Sequence, residues 1–338
     1  MSEIPVPEST RRALRARHAA AVAPDAVLDA ARVAAADAAK AAGIAIHEVH
    51  ALADLAAVRR LFDTLWSADP TNPAATVELL RAYAHTGQYV VIATDLTEPG
   101  RSVIAASMGF LAAPAGAALH SNVTGVLPHG RGRSLGFALK LHQRVWALER
   151  GLTEVTWTFD PLIRRNAWFN LAKLGATVRE YLVDFYGPMS DGVNVGDASD
   201  RLYLSWPLTD PEVLDAVAGR PAVVDVEGLR ASGAAVLLCV GPDGQSPTGP
   251  LTPPKAEPGP DVALVQVPPD AEALRRDDPG LGRAWRQSLR QALHSGAPGW
   301  AVQGMGRDGW YVLTRDENPS LVRDPARRQD RQPEGARP

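Results

Sequence analysis

The sequence predicts an α+β fold with a small C-terminal α/β appendage, and three observations carry that reading. Several segments of strand character follow one another before the central helix, which is not the βαβα alternation of a doubly wound sheet. A Gly/Arg-rich loop, "HGRGRS" (129–134), separates one of those strands from an amphipathic helix. After Pro207 the composition shifts, and the Pro/Gly-rich stretch "GPDGQSPTGPLTPPKAEPGP" (241–260) stands before a last set of elements.

Residues 1–43 form an Ala-rich helical extension, in which "PDAVLDAARVAAADAAKAAG" has high helix propensity and Gly43 suits its end. Its few large side chains leave it to pack on the body or on a second copy in a homodimer. "IAIHEVHAL" (44–52) reads as a strand. "LADLAAVRRLFDTLW" places Leu55, Val58, Leu61, Phe62 and Leu65 at helical spacing. "TVELLRAYAHTG" (76–87) is a helix with a glycine stop. "QYVVIATDL" and "RSVIAASMGFLA" flank the turn "TEPG", and "ALHSNVTGVL" is a further strand. A helix over 134–150 follows, with Leu135, Ala138, Leu141, Val145 and Leu148 on its apolar side. "TEVTWTFD" (153–160) alternates as a half-buried strand does. A short helix over 166–176 and two strands, "TVREYLVDFYG" and "DRLYLSWPL", complete this part. Residues 209–260 read as a linker. Residues 261–317 form the appendage: the strand "DVALVQVP", a helix with Trp285, Leu289, Ala292 and Leu293 near one face, and the strand-like "WAVQGMGRDGWYVLTRD". The polar tail 318–338 is expected to be disordered.

Composition narrows the function classes. The chain has 338 residues, 46% hydrophobic and 22% charged, with a net charge of −3, so no global charge favours nucleic acid or an anionic membrane. The single cysteine, Cys239, excludes an internal disulfide. No apolar run approaches the roughly 20 residues of a membrane span, and no signal-peptide core stands near the N-terminus. A cytoplasmic protein is expected. "HEVH" (47–50) lacks metal-site spacing, since His47 and His50 face opposite sides of a strand; no metal is expected.

The Gly/Arg loop is the main chemical feature. The first turn of the helix after it has N–H groups with no internal partner, and the helix dipole adds positive potential. Gly132 and Gly136 admit a ligand to the main chain, and Arg131 and Arg133 add charge. Such a loop is an anion cradle, a tight structural turn, or a solvated basic patch.

The segment "VLPHGRGRSLGFAL" resembles the acyl-CoA-binding motif of the GNAT superfamily, [QR]-x-x-G-x-[GA], with Arg131 first, Ser134 in place of the first glycine, and Gly136 last. Downstream, "RNAWFNLAKLGA" is similar to the family's N-x-x-A-x-x-x-Y-x-x-x-G-F helix through Ala167 and Gly175. It departs at Arg164 (Asn position), Leu171 (Tyr position) and Ala176 (aromatic position). The likeness covers roughly residues 44–208.

This resemblance implies a central mixed, mostly antiparallel sheet with flanking helices. It implies an N-acyltransferase that uses acetyl-CoA or another acyl-CoA, such as succinyl-CoA, to acylate a small-molecule amine, with amino acids as one class. The expected cofactor contacts are Val126, Leu127, Arg131, Gly132, Arg133, Ser134, Leu135, Gly136, Phe137, Asn166 and Phe169. Arg164, Arg165 and Trp168 are expected at the substrate, where the arginines could hold a carboxylate. The expected base is His120, with Asp160 next; Tyr186 or Tyr181 would replace the missing thiolate acid. A backbone N–H near Val126 would stabilise the oxyanion. Simple alternation puts His120, Asn122, Thr124 and Val126 on one strand face, unless a bulge breaks it. Two other readings remain: a CoA-binding protein without catalysis, favoured by Leu171, and an interaction module.

Overall fold

The structure, a computed structural model, describes residues 25–66, 73–114, 116–187, 197–250, 261–295 and 299–315. The expected tail 318–338, the start of the N-terminal extension and residues 251–260 of the expected linker lie outside the described residues.

The elements in chain order begin with α1 (Asp25–Ala42), β1 (Ile44–Glu48), α2 (Leu52–Trp66) and α3 (Val77–His85). Then come β2 (Tyr89–Asp95), β3 (Val103–Leu111), β4 (Ala118–Val126), α4 (Leu135–Glu149) and β5 (Glu154–Phe159). These are followed by α5 (Arg164–Trp168), β6 (Thr177–Leu182) and β7 (Arg201–Pro207). The fold is α+β: a mixed seven-stranded sheet in the order β1-β2-β3-β4-β5-β7-β6, with helices flanking it. Neighbours from β1 to β4 are antiparallel, as are β6 and β7, while β4 and β5 run parallel.

By contacts the chain divides into two compact units. One comprises the described residues of 1–65, 73–156 and 207–209; the other comprises those of 66–72, 157–206 and 210–338. The division falls inside β5, not at the expected boundary near 208.

In the first unit, α2 buries Leu55, Val58 and Phe62, and β2 and β3 contribute Val91, Ala93, Ile104 and Met108. Thr76 caps α3 by accepting from the Leu79 N–H (3.2 Å). The Ala-rich α1 packs against α4 of its own chain, where small side chains permit close approach. Arg32 anchors it on Glu149 (2.9 Å). One irregularity matters for the site. The β3–β4 register shifts between Met108/Val123 and Gly109/Ser121, so Asn122 is an extra, exposed residue in a bulge.

The second unit departs from expectation in two places. The segment 209–260 is not a plain linker: it holds α6 (Pro211–Val217), α7 (Val226–Ala231), β8 (Ala235–Val240) and β9 (Pro247–Thr248). Beyond it lie β10 (Val262–Gln266), α8 (Ala271–Asp277) and α9 (Pro279–Arg290). The run "WAVQGMGRDGWYVLTRD", expected as one strand, is a hairpin of β11 (Ala301–Met305) and β12 (Trp310–Thr314). Its turn is the Gly-Arg-Asp-Gly at 306–309. These strands form a five-stranded sheet, β11-β12-β10-β8-β9, with β8 parallel to β10. Val226, Val236, Leu264, Trp310 and Val312 make one core cluster of this unit.

Candidate functional site

The candidate site is built where β4 leaves the sheet and α4 begins. Leu127 donates its N–H to the Ile104 carbonyl (2.9 Å), which fixes the strand end but engages one of the backbone donors expected for an oxyanion. A single helical turn, Pro128–Gly130, follows, and the Arg131 N–H closes it on the Pro128 carbonyl (3.1 Å). Gly132 has φ +84°, Arg133 a negative φ and Ser134 φ +62°. This alternation turns successive N–H groups toward one side, the arrangement of an anion-binding nest. The first backbone bonds of α4 are donated by Phe137 and Ala138 to the Ser134 carbonyl (3.0 and 3.1 Å). The N–H groups of Gly132, Arg133, Ser134, Leu135 and Gly136 have no partner among the described residues. A Cβ placed on Gly132 or Gly136 meets nothing within 4 Å. The main chain is open there, and Arg131 stands exposed beside it without an ion pair among the described residues.

At two expected contacts the side chain does not serve the nest. Arg133 does not face the nest. Its guanidinium holds the buried Asp95 (3.0 Å to Oδ1) and reaches back to the Ala42 carbonyl at the end of α1 (2.8 Å). The Arg133 hydrogen bonds, with those of Thr97, keep the Asp95 carboxyl well below the usual range. Ser134 occupies the left-handed conformation that glycine takes without steric cost, and its side chain makes no capping bond. Leu135 is buried under the loop, while Val126, Leu127 and Phe137 are half-buried.

The bulge at Asn122 resolves the faces of β4. Through the register, His120 shares a face with Val123 and Gly125, whereas Ser121, Thr124 and Val126 lie on the other. His120 and Val126, expected together, are on opposite faces. His120 Nδ1 meets Thr156 Oγ1 (3.1 Å), and its ring lies 5.1 Å from that of Phe110. Burial, and then the Lys140 charge, pull its pKa below the ordinary value. Sequence reasoning passed over Lys140 itself. Its buried ammonium donates to Ser121 Oγ and Gln143 Oε1 (3.0 Å each), and burial lowers its pKa to about 7. The available signal was a lysine set among Leu139, Leu141 and Ala138 in a helix that proves buried on most sides.

The remaining candidates belong to the second unit. Asp160 is buried, with both oxygens on Arg286 (2.8 Å each) and a further bond from Arg275. Burial alone would raise its carboxyl; Arg286, with Arg275 and Arg201, holds it well below the usual carboxylate range. An anion so compensated is a poor proton acceptor near neutral pH, and the geometry places Asp160 in an ionic network. Tyr181 is also engaged, donating to Asp200 Oδ2 (2.6 Å). Tyr186 is exposed, with its hydroxyl 2.9 Å from Thr158 Oγ1. Asn166 is exposed in the first turn of α5, Phe169 opens the wide turn that follows, and Leu171, in the tyrosine position, is buried. Arg164, Arg165 and Trp168 come together in one pocket. No cluster of metal ligands and no helix long and apolar enough to cross a membrane occurs among the described residues.

No protein-family model and no curated protein matches the chain. It is similar to solved structures. One is an acetyltransferase of the GNAT family from Streptococcus pneumoniae, 12% identical, covering 48% of this chain and 97% of that one, with a TM-score of 0.38. Another is the ribosomal-protein-S18-alanine N-acetyltransferase from Escherichia coli, 14% identical, covering 49% and 95%, with a TM-score of 0.38. A third is Ard1 from Thermoplasma volcanium, 17% identical, covering 48% and 96%, with a TM-score of 0.36.

Proposed function

We propose that this chain is an acyl-CoA-dependent N-acyltransferase of the GNAT type, which transfers acetyl or another acyl group, such as succinyl, to the amine of a small molecule. The observation that carries the reading is the run of five unpartnered N–H groups at 132–136, on an open main chain beside the exposed Arg131. A pyrophosphate satisfies such a cradle through charge-assisted hydrogen bonds. With the pyrophosphate there, the pantetheine arm runs along β4 and carries the thioester toward the middle of the strand. The amine nitrogen attacks the thioester carbon, the C–S bond breaks, and the ammonium proton must leave as the thiolate departs. His120, on that strand and largely neutral near pH 7, is the proposed acceptor of that proton.

Calorimetry with CoA, followed by thiol release from acetyl- and succinyl-CoA over a panel of amino acids and other small amines, tests the reading. CoA binding with amine-dependent thiol release is expected. His120→Ala should lower turnover by roughly 10²–10⁴ with CoA affinity nearly unchanged. The wild-type rate should fall as pH drops through the His120 pKa, below about 6.5, and the variant should lack that limb. A folded protein that does not bind CoA would overturn the proposal. The second reading, CoA binding without catalysis, draws on the buried Leu171 in the tyrosine position and on the engagement of Asp160 by arginines. CoA binding with no thiol release from any amine would favour it.

A further inference from the structure

The second unit carries a concave site of its own, with a volume of about 410 Å³, within the range of small-molecule pockets. Three arginines line it: Arg164 and Arg165 at the start of α5, and Arg307 in the β11–β12 turn. Two carboxylates, Asp270 and Glu272, stand against them, so the pocket is one positive charge in excess.

The pairing decides where that excess lies. Arg165 is neutralised by Glu272, which takes both of its terminal amino groups. Asp270 Oδ1 accepts from the Ala273 N–H (2.8 Å) at the start of α8. Arg164 donates from Nε (2.9 Å) and Nη2 to the Arg307 carbonyl and has no carboxylate partner among the described residues. Arg307 is exposed, lies 4.7 Å over the Trp168 ring, and likewise holds no carboxylate there. The turn is shaped to seat Arg164: Gly309 has φ +95°, and a Cβ on it would stand 3.1 Å from Arg164 Cδ. Two guanidiniums with unused donors therefore face a pocket whose remaining lining includes the apolar Ile163, Pro269 and Ala271.

We propose that this pocket binds a small monocarboxylate with an apolar or aromatic body. The carboxylate lies on Arg307 and the unused amino group of Arg164, and the body rests on the apolar lining. The proposal uses only residues of the second unit and is independent of acyl transfer. The test is calorimetry on the full chain without CoA, using phenylacetate, indole-3-acetate and hexanoate as probes and phenylacetamide as the uncharged control. Saturable one-to-one binding of at least one carboxylate is expected, with the amide weaker by about tenfold or more. Arg307→Gln, at an exposed position, should weaken binding by about tenfold with the melting temperature unchanged. Arg164→Met, which keeps an apolar stem, should weaken it similarly. Absence of saturable binding by every probe, equal binding of the amide, or wild-type affinity in both variants would overturn the proposal.

Discussion

Two arginine-rich regions of this molecule put the same side chain to opposite uses. In the second unit, Asp160 and Asp197 are each ion-paired with both Arg275 and Arg286, at 2.8–2.9 Å where Arg286 is the partner. Arg290 closes on Asp200 (2.6 Å), which also accepts from Tyr181. Every charge there has a countercharge, and most of the groups are buried. At the β4–α4 loop, only Arg133 is treated that way. Arg131 remains exposed, and the N–H groups of 132–136 have no partner among the described residues. The ion-paired region holds structure together, and the loop leaves donors unused. What separates them is whether a guanidinium meets a carboxylate, a property of the fold and not of residue type.

The largest test of this contrast is Arg286→Met. Removing one member of a buried ion-pair network leaves uncompensated carboxylates and costs about 3–5 kcal/mol, read as a lower denaturation midpoint. CoA affinity at the loop should stay at the wild-type level. The network also fixes a pH dependence. The folded pKa of Asp160 is depressed, so its contribution is present above the ordinary carboxylate value of about 3.9 and is lost as pH falls below it. Denaturation of wild type should therefore show stability declining below about pH 4, with a shallower decline in Arg286→Met. Loss of CoA binding in a folded Arg286→Met protein would break the separation of the two regions.

A smaller effect sharpens the contrast within the loop itself. Arg131→Ala should weaken CoA binding by about 1.5–3 kcal/mol and leave the melting temperature unchanged, because the side chain is exposed and holds no ion pair among the described residues. Arg133→Ala should do the reverse: a lower melting temperature, since Asp95 loses its guanidinium, with a smaller effect on CoA than Arg131→Ala. Thermal melts and calorimetry on the two variants side by side decide the matter. Equal losses of CoA affinity would show that Arg133 also serves the anion.

The sequence could not have separated Arg131 from Arg133. They stand two residues apart in one loop, and the alternating backbone φ from Gly132 to Ser134 accompanies one side chain in solvent and the other on Asp95. The strand, loop and helix around them were legible, because apolar periodicity and glycine placement are local signals. Asp160 stood as the second candidate base because its partners Arg275 and Arg286 lie 115 and 126 residues further on. The strand β8 was lost in the expected linker for a similar reason: its place is set by parallel pairing with β10, a non-local contact. The hairpin at 301–314 is different. Its turn glycines were visible, but the apolar residues on both sides favoured one long strand. The bulge at Asn122 left no mark in composition, and it alone changed which residues share a face with His120.

The smallest expected effect concerns the one backbone cost inside the open region. Ser134 holds φ +62° and ψ +23° at the head of α4, where its hydroxyl makes no capping bond. A left-handed conformation costs an L-residue about 1–2 kcal/mol, while glycine brings an entropic penalty of about 0.5–1 kcal/mol. Ser134→Gly should therefore raise stability by up to about 1 kcal/mol and keep or slightly improve CoA affinity, since the N–H groups are retained. Ser134→Ala keeps the backbone cost and loses only an unused hydroxyl, so its stability should match wild type. Denaturant melts of both variants separate the two contributions. A less stable Ser134→Gly protein would mean that the serine side chain supports the loop, and that the open region is held by more than its backbone.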